Sequence, residues 1–316
     1  MSKSFTSLVA LILTILRSVY GEVTLQMRRH DAELFACKRF VITAVRSRRS
    51  AHRNAAREFF AMSLLGGHPA FLTLKSLWFK EATDEPHLAM EYVHGVPLSH
   101  IMPVMRSYRT LGGISRQVGL IFFRLSLSKS YLSAHKQVMV GLEFLHESEM
   151  VHRDIKPENI MLSFDGVVKI GEPRAHFICL TIIDIRYLVD YGFVMHRTLS
   201  DPCYKGMLCG TPMVMAPEIE DIYNMDFDCR TFPAPYSPLV DVFAWGASAL
   251  YLSQRSYMDY FPREYLLLEN WNSRLQGDAD ASEQLRMFIW RSTQPDPRHR
   301  WTAMQLLEVR LVVFYI

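Results

Sequence analysis

One twelve-residue stretch, Val151-His-Arg-Asp-Ile-Lys-Pro-Glu-Asn-Ile-Met-Leu162, constrains this chain more than any other. Within six residues it carries the Asp154 carboxylate, the Lys156 ammonium and the Asn159 amide. Phosphoryl transfer asks for these three functions together. A carboxylate orients the attacking hydroxyl, a cation meets the transferred group, and an oxygen donor holds a metal nearby. A merely polar loop has no reason to place all three at this spacing.

The segment resembles the catalytic loop of the eukaryotic-type protein kinases, His-Arg-Asp-x-Lys-x-x-Asn, and its Lys-Pro-Glu-Asn form is that of the serine/threonine branch. The resemblance implies an α+β, two-lobe protein kinase fold: a small β-rich N-lobe over about 8–92 and a larger helical C-lobe over about 93–316, together one domain of 1–316. It implies transfer of the ATP γ-phosphoryl to protein serine or threonine hydroxyls, with ATP and Mg2+ gripped between the lobes. Asp154 would act as base, Lys156 would stabilise the transferring group, and Asn159 would be a metal ligand.

Further parts of the pattern can be matched one by one. Lys38, in Ala36-Cys-Lys38, stands 17 residues after Gly21 and would hold the α- and β-phosphates. Glu58, in Arg57-Glu-Phe-Phe-Ala-Met62, would pair with it. Met90-Glu91-Tyr92-Val93 resembles the gatekeeper and hinge, whose backbone groups bond adenine, and Val23, Ala36 and Met161 would sandwich the base. Asp190-Tyr-Gly-Phe193 resembles the magnesium motif, with Asp190 as metal ligand. Leu208-Cys-Gly-Thr-Pro212 and Ala216-Pro-Glu218 resemble the close of the activation segment, with Thr211 beside the catalytic residues. Glu218 would pair with Arg300, and Asp241 would cap the catalytic loop. In any other fold Val23, Ala36 and Met161 are ordinary core residues, and Lys38 and Glu58 are solvated charges.

The periodicity agrees with this outline. Residues 8–45 read as strands with turns. Ser47 to Leu65 reads as a helix with Phe59, Met62 and Leu65 about a turn apart, and Phe71 to Val93 returns to strands broken at Glu81–Pro86. From Ser133 the chain reads as mainly helical. Val138, Leu142 and Leu145 mark one face of a helix ending near His146. A buried helix covers Leu239–Leu252, and a last one starts at Thr302.

Three features depart from the pattern. The glycine loop reads Leu16-Arg-Ser-Val-Tyr-Gly-Glu-Val23, so only Gly21 remains of the three glycines; side chains at 16 and 18 obstruct close backbone approach to phosphate. Counting from Asn159, the metal aspartate belongs near Glu172, yet the motif arrives at Asp190, about 18 residues late. Either the run Phe177–Val189 replaces the usual strand and feeds Asp190 into place, or the strand ends at Ile170 and Asp190 stands on a long loop. A second surplus of about 18 residues lies within Arg106–Lys129. This second surplus reads as a docking surface or as a loop packed on the helical lobe, and one or both surpluses as intron retained in the reading frame. A catalytically impaired scaffold that keeps the fold is the alternative function.

Regulation and setting are partly legible. Met207 stands where many kinases carry an activating phosphothreonine, the usual partner of Arg153, and cannot be phosphorylated; Thr198, Ser200 and Tyr204 are the remaining candidates. Arg46, Arg48, Arg49, Arg53 and Arg57 form a solvated helix face or a dock for an acidic partner. A net charge of +3 over 316 residues argues against nucleic acid as a partner. The five scattered cysteines, Cys37, Cys179, Cys203, Cys209 and Cys229, suit a reducing compartment, cytoplasm or nucleus. The apolar run Leu8–Leu16 is too short to span a bilayer and reads as a first strand rather than a signal segment, so stable membrane insertion is not expected. A protein substrate is the expected partner, and oligomeric state is not legible.

Overall fold

The computed structural model describes residues 9–18, 21–43, 47–100, 136–163, 168–170, 186–187, 193–198, 208–223, 236–253 and 283–308. The chain forms two compact units, Met1–Leu98 with Glu158–Val194, and Ser99–Pro157 with Met195–Ile316. The division is therefore not a single cut near residue 92: the segment after the catalytic loop returns to the first unit.

The first unit is built on a five-stranded antiparallel sheet of order β1-β2-β3-β5-β4, comprising β1 (Val9–Ser18), β2 (Gly21–Arg28), β3 (Leu34–Arg39), β4 (Leu74–Phe79) and β5 (Pro86–Glu91). Register decides which residues share a face. Val23 lies opposite Lys38 and Leu25 opposite Ala36 across β2–β3, while Ala36 lies opposite Met90 and Lys38 opposite Leu88 across β3–β5. Since strand side chains alternate faces, Val23, Leu25, Ala36, Lys38, Leu88 and Met90 line one side of the sheet. Cys37, Phe35 and Ala89 make a smaller cluster on the other, with Trp78 packed against it.

Helix α1 (Arg48–Leu65) opens on Ser47, whose hydroxyl accepts from the Ser50 N–H at 3.2 Å. Its inward stripe is Ala51, Ala55, Glu58, Met62 and Leu65. This corrects the periodic reading: Met62 and Leu65 are buried, but Phe59 is 37% exposed and Glu58 takes the inward place. A second sheet of order β10-β6-β8-β9 joins β6 (Val93–Pro97), β8 (Ile160–Ser163), β9 (Val168–Ile170) and β10 (Arg186–Tyr187).

The second unit is mainly helical. Helix α2 (136–147) buries Val138, Met139, Leu142 and Leu145, as the spacing predicts, and gives way to β7 (Met150–Val151), which pairs with β11 (Met195–His196). The strands after Ser133 are short, and helical periodicity conceals them. Helix α3 (Pro217–Tyr223) precedes α4 (Leu239–Ser253), which is buried all round from Val240 to Leu250, the signature of a core helix. Then come α5 (Glu283–Ser292) and α6 (Ala303–Glu308). Gly246 lets α4 meet the end of α5, because a Cβ there would stand 2.1 Å from Ser292 Oγ.

No described helix is long and apolar enough to cross a membrane.

Candidate active site

The candidate residues fall in both units, and each set has its own geometry. In the first unit, Lys38 Nζ donates to Glu58 Oε1 at 2.8 Å and to Oε2 at 3.0 Å. Both side chains are nearly closed to solvent, with Lys38 5% and Glu58 2% exposed. A buried ammonium is tolerated only when paired, so Glu58 is what permits Lys38 to stay charged inside. On the same sheet face stand Val23, Ala36 and Met90, all buried. That gives an apolar sheet face carrying one buried, paired cation between Val23 and Leu88.

The neighbouring Cys37 points the other way. Burial pushes its thiol up to about 12, which makes it inert rather than reactive. Val93 is buried at the start of β6, and Glu91 is tied to Thr73, whose N–H donates to its carboxylate at 3.1 Å. Met161 is buried in β8, opposite Pro97. Gly21 opens β2 directly opposite Ser18, so Leu16 and Ser18 belong to the ladder of β1. The segment that carries one glycine instead of three thus places Leu16 opposite Val23 and Ser18 opposite Gly21 in an antiparallel strand pair.

In the second unit, Asp154, Lys156 and Thr211 form a closed triangle. Thr211 Oγ1 donates to Asp154 Oδ1 at 2.7 Å, and Lys156 Nζ donates to Asp154 Oδ2 and to Thr211 Oγ1, each at 2.7 Å. Both carboxylate oxygens therefore have a fixed partner, and the group cannot rotate freely. Beneath it, Asp241 of α4 accepts from the N–H groups of His152 and Arg153, both at 2.8 Å, and its Oδ2 lies 3.1 Å from His146 Nε2. Those bonds hold Arg153 at φ 68, a left-handed conformation that a residue with a Cβ resists.

Arg300 reaches Glu218 with two parallel bonds of 2.8 and 3.0 Å and also donates to the carbonyls of Leu239, Gln294 and Pro295. Both pairings, Asp241 with the catalytic loop and Glu218 with Arg300, are those the sequence resemblance implies.

Asn159 is fully buried and ends the short 3-10 turn Pro157–Asn159. Asp190 lies outside the described residues, as do Ser200, Tyr204 and Met207. The strand that pairs with β8 is Val168–Ile170, and the residues that follow it, 171–185, lie outside the described residues with Asp190. Arg186–Tyr187, late in the surplus, pairs instead with β6. Thr198 donates to Glu149 Oε2 at 3.1 Å; a phosphate there would face that carboxylate. Two residues escaped sequence reasoning. His146 supports Asp241, and Tyr236 bonds the backbone of Cys209; the only signal for Tyr236 is its place five residues before Asp241.

A buried lysine–glutamate pair under a β-sheet and a carboxylate–ammonium–threonine triangle over a buried core helix define the class. The protein kinase domain family matches residues 17–312. This chain belongs to that family. Among curated relatives, the serine/threonine-protein kinase PAK 1 of Mus musculus is 28% identical over 177 residues, which is 55% of this chain and 27% of that protein. The serine/threonine-protein kinase STE20 of Eremothecium gossypii is 28% identical over 182 residues, 56% of this chain and 16% of that protein. The serine/threonine-protein kinase pakA of Talaromyces marneffei is 26% identical over 221 residues, 69% of this chain and 29% of that protein. The match thus spans less than a third of each of these relatives.

Proposed function

We propose that this chain is a serine/threonine protein kinase that transfers the γ-phosphoryl of ATP to a protein hydroxyl. The observation that carries the reading is the Asp154–Lys156–Thr211 triangle, with its buried carboxylate fixed at both oxygens. The relatives, named as serine/threonine-protein kinases, support the choice of a serine or threonine acceptor.

In the proposed step the acceptor oxygen bonds to the γ-phosphorus as the bond from phosphorus to the β–γ bridging oxygen breaks, and ADP leaves. Asp154 orients the hydroxyl and takes its proton. Lys156 offsets charge on the transferring group, and Lys38 serves the α- and β-phosphates. Val23, Ala36, Met90 and Met161 suit an aromatic base, while backbone groups along Met90–Val93 would bond its edge.

The donor chemistry fits magnesium. Asn159 offers a buried amide oxygen and Asp190, by its place in the sequence motif, a carboxylate, both the hard ligands this ion takes. When bound, the ion would neutralise phosphate charge.

A second reading is a nucleotide-binding scaffold without turnover. It is favoured by Leu16 and Ser18 in the β1 ladder. An assay with Mg-ATP and a generic protein acceptor separates the two. Transfer that is present in the wild type and lost in Asp154→Asn supports the kinase. Nucleotide binding without transfer supports the scaffold.

A further inference from the structure

We propose that Tyr236 is a positioning residue for this reaction: its hydroxyl clamps the peptide groups of Cys209 and so fixes Thr211 against Asp154. The role in catalysis rests on the function proposed above; the clamp rests on geometry alone. The Tyr236 hydroxyl donates to Cys209 O at 2.9 Å and accepts from Cys209 N–H at 3.0 Å. One side chain thereby satisfies both backbone groups of a buried residue that lies in neither helix nor strand, where such groups otherwise stay unpaired at a cost.

The same ring also reaches the other side of the junction. The Arg153 guanidinium carbon lies 5.1 Å from its centroid, within the range of a cation–π contact. Between these contacts the two backbones abut. Gly210 has φ 115, and a Cβ there would stand 2.7 Å from Arg153 O, so the approach requires glycine.

The next residue is Thr211, which donates to Asp154 Oδ1. From clamp to carboxylate the path runs through three consecutive residues, so a shift at Cys209 reaches Thr211 almost undiminished. Burial raises the phenol pKa, which keeps the hydroxyl protonated as a donor. Met207, which precedes the segment, offers no hydroxyl for phosphate.

The test uses Tyr236→Phe, which keeps the ring over Arg153 and deletes the hydroxyl. Alkylation of Cys209 by iodoacetamide, resolved by peptide mass spectrometry, should accelerate about 5- to 30-fold as the segment opens more readily. In an active enzyme kcat should fall over about the same range while KM for ATP stays within about twofold. In a Thr211→Ala background Tyr236→Phe should cost nothing further, because it acts through Thr211. Unchanged Cys209 alkylation, or kcat losses that multiply in the double variant, overturns the proposal.

Should Tyr236→Phe lack a cooperative melt, amide exchange in the wild type decides. A protected Cys209 N–H supports the clamp, and exchange at the unfolded-chain rate overturns it. A wild-type chain without transfer activity sinks the proposed function and the positioning role together. Activity with an unaffected Cys209 sinks the positioning role alone.

Discussion

Asp241 illustrates how one residue can set the geometry of a loop it does not belong to. Its carboxylate takes the N–H groups of His152 and Arg153 and faces His146, and it stands on a helix that is buried all round. The bonds offset the cost of Arg153 at φ 68, about 1–2 kcal/mol. Asp241→Asn turns one acceptor oxygen into a donor that faces a donor. It should lower stability by about 2–3 kcal/mol, read as a shift in the urea midpoint. Asp154 serves chemistry instead: Asp154→Asn should reduce transfer about 10²- to 10⁴-fold while Mg-ATP binding stays near wild type.

These two aspartates were legible because motif spacing marks them. His87 was not. It stacks on Trp78 at 5.3 Å, and burial, with the charge of Arg39, draws its imidazole from 6.5 to about 4. Between those values the unfolded chain binds the proton and the folded protein does not. The neutral ring's contribution is therefore complete above pH 6.5 and is lost as pH falls toward 4. His87→Gln should flatten that limb of the melting-temperature profile between pH 7 and 4; an unchanged slope would remove His87 from the account.

At the scale of elements, α1 shows where periodicity succeeds and where it misleads. Its extent, Arg48–Leu65 after the Ser47 cap, follows from an unbroken run of helix-compatible residues bounded by Gly66. Its inward face does not, because hydrophobic patterning has no place for a buried carboxylate. Glu58 occupies an inward position since Lys38 lies opposite it on the sheet, and the pairing of residues 20 apart belongs to tertiary structure. Phe59, one residue on, is turned outward as a consequence.

The pair is asymmetric to mutation. Glu58→Ala strands a buried ammonium and should cost about 3–5 kcal/mol. The double variant Lys38→Met, Glu58→Leu replaces two charges with apolar volume and should recover most of that in chemical denaturation, at the expense of all transfer activity. A double variant as unstable as Glu58→Ala would show that α1 depends on the ion pair for more than charge balance. The strand after the catalytic loop teaches the same lesson. Val168–Ile170 is too short for periodicity to mark, and its place is set by its pairing with β8.

At the scale of the whole molecule, the Glu218–Arg300 tie joins residues 82 apart in sequence, and Arg300 donates besides to three backbone carbonyls of the second unit. Family spacing makes the pair legible; the carbonyl partners follow only from how α4 and the loop after α5 are packed. The proposed function, in contrast, is a statement about the entire chain, since the residues assigned to ATP and metal belong to the first unit and those assigned to the acceptor hydroxyl and the transferring group, Asp154 and Lys156, to the second. Ligand linkage tests it without reference to their arrangement. A chain that binds Mg-ATP only when folded gains about 2.7 kcal/mol at a ligand concentration of 100 times Kd, a rise in Tm on the order of 5 °C for a protein of this size. Lys38→Met should abolish most of that rise if Lys38 meets the phosphates, whereas Asp154→Asn should leave it nearly intact, because Asp154 is assigned to the acceptor hydroxyl. Equal loss in both variants would mean that the two lysine and aspartate roles have been misassigned, and no shift in the wild type would remove ATP from the reading altogether.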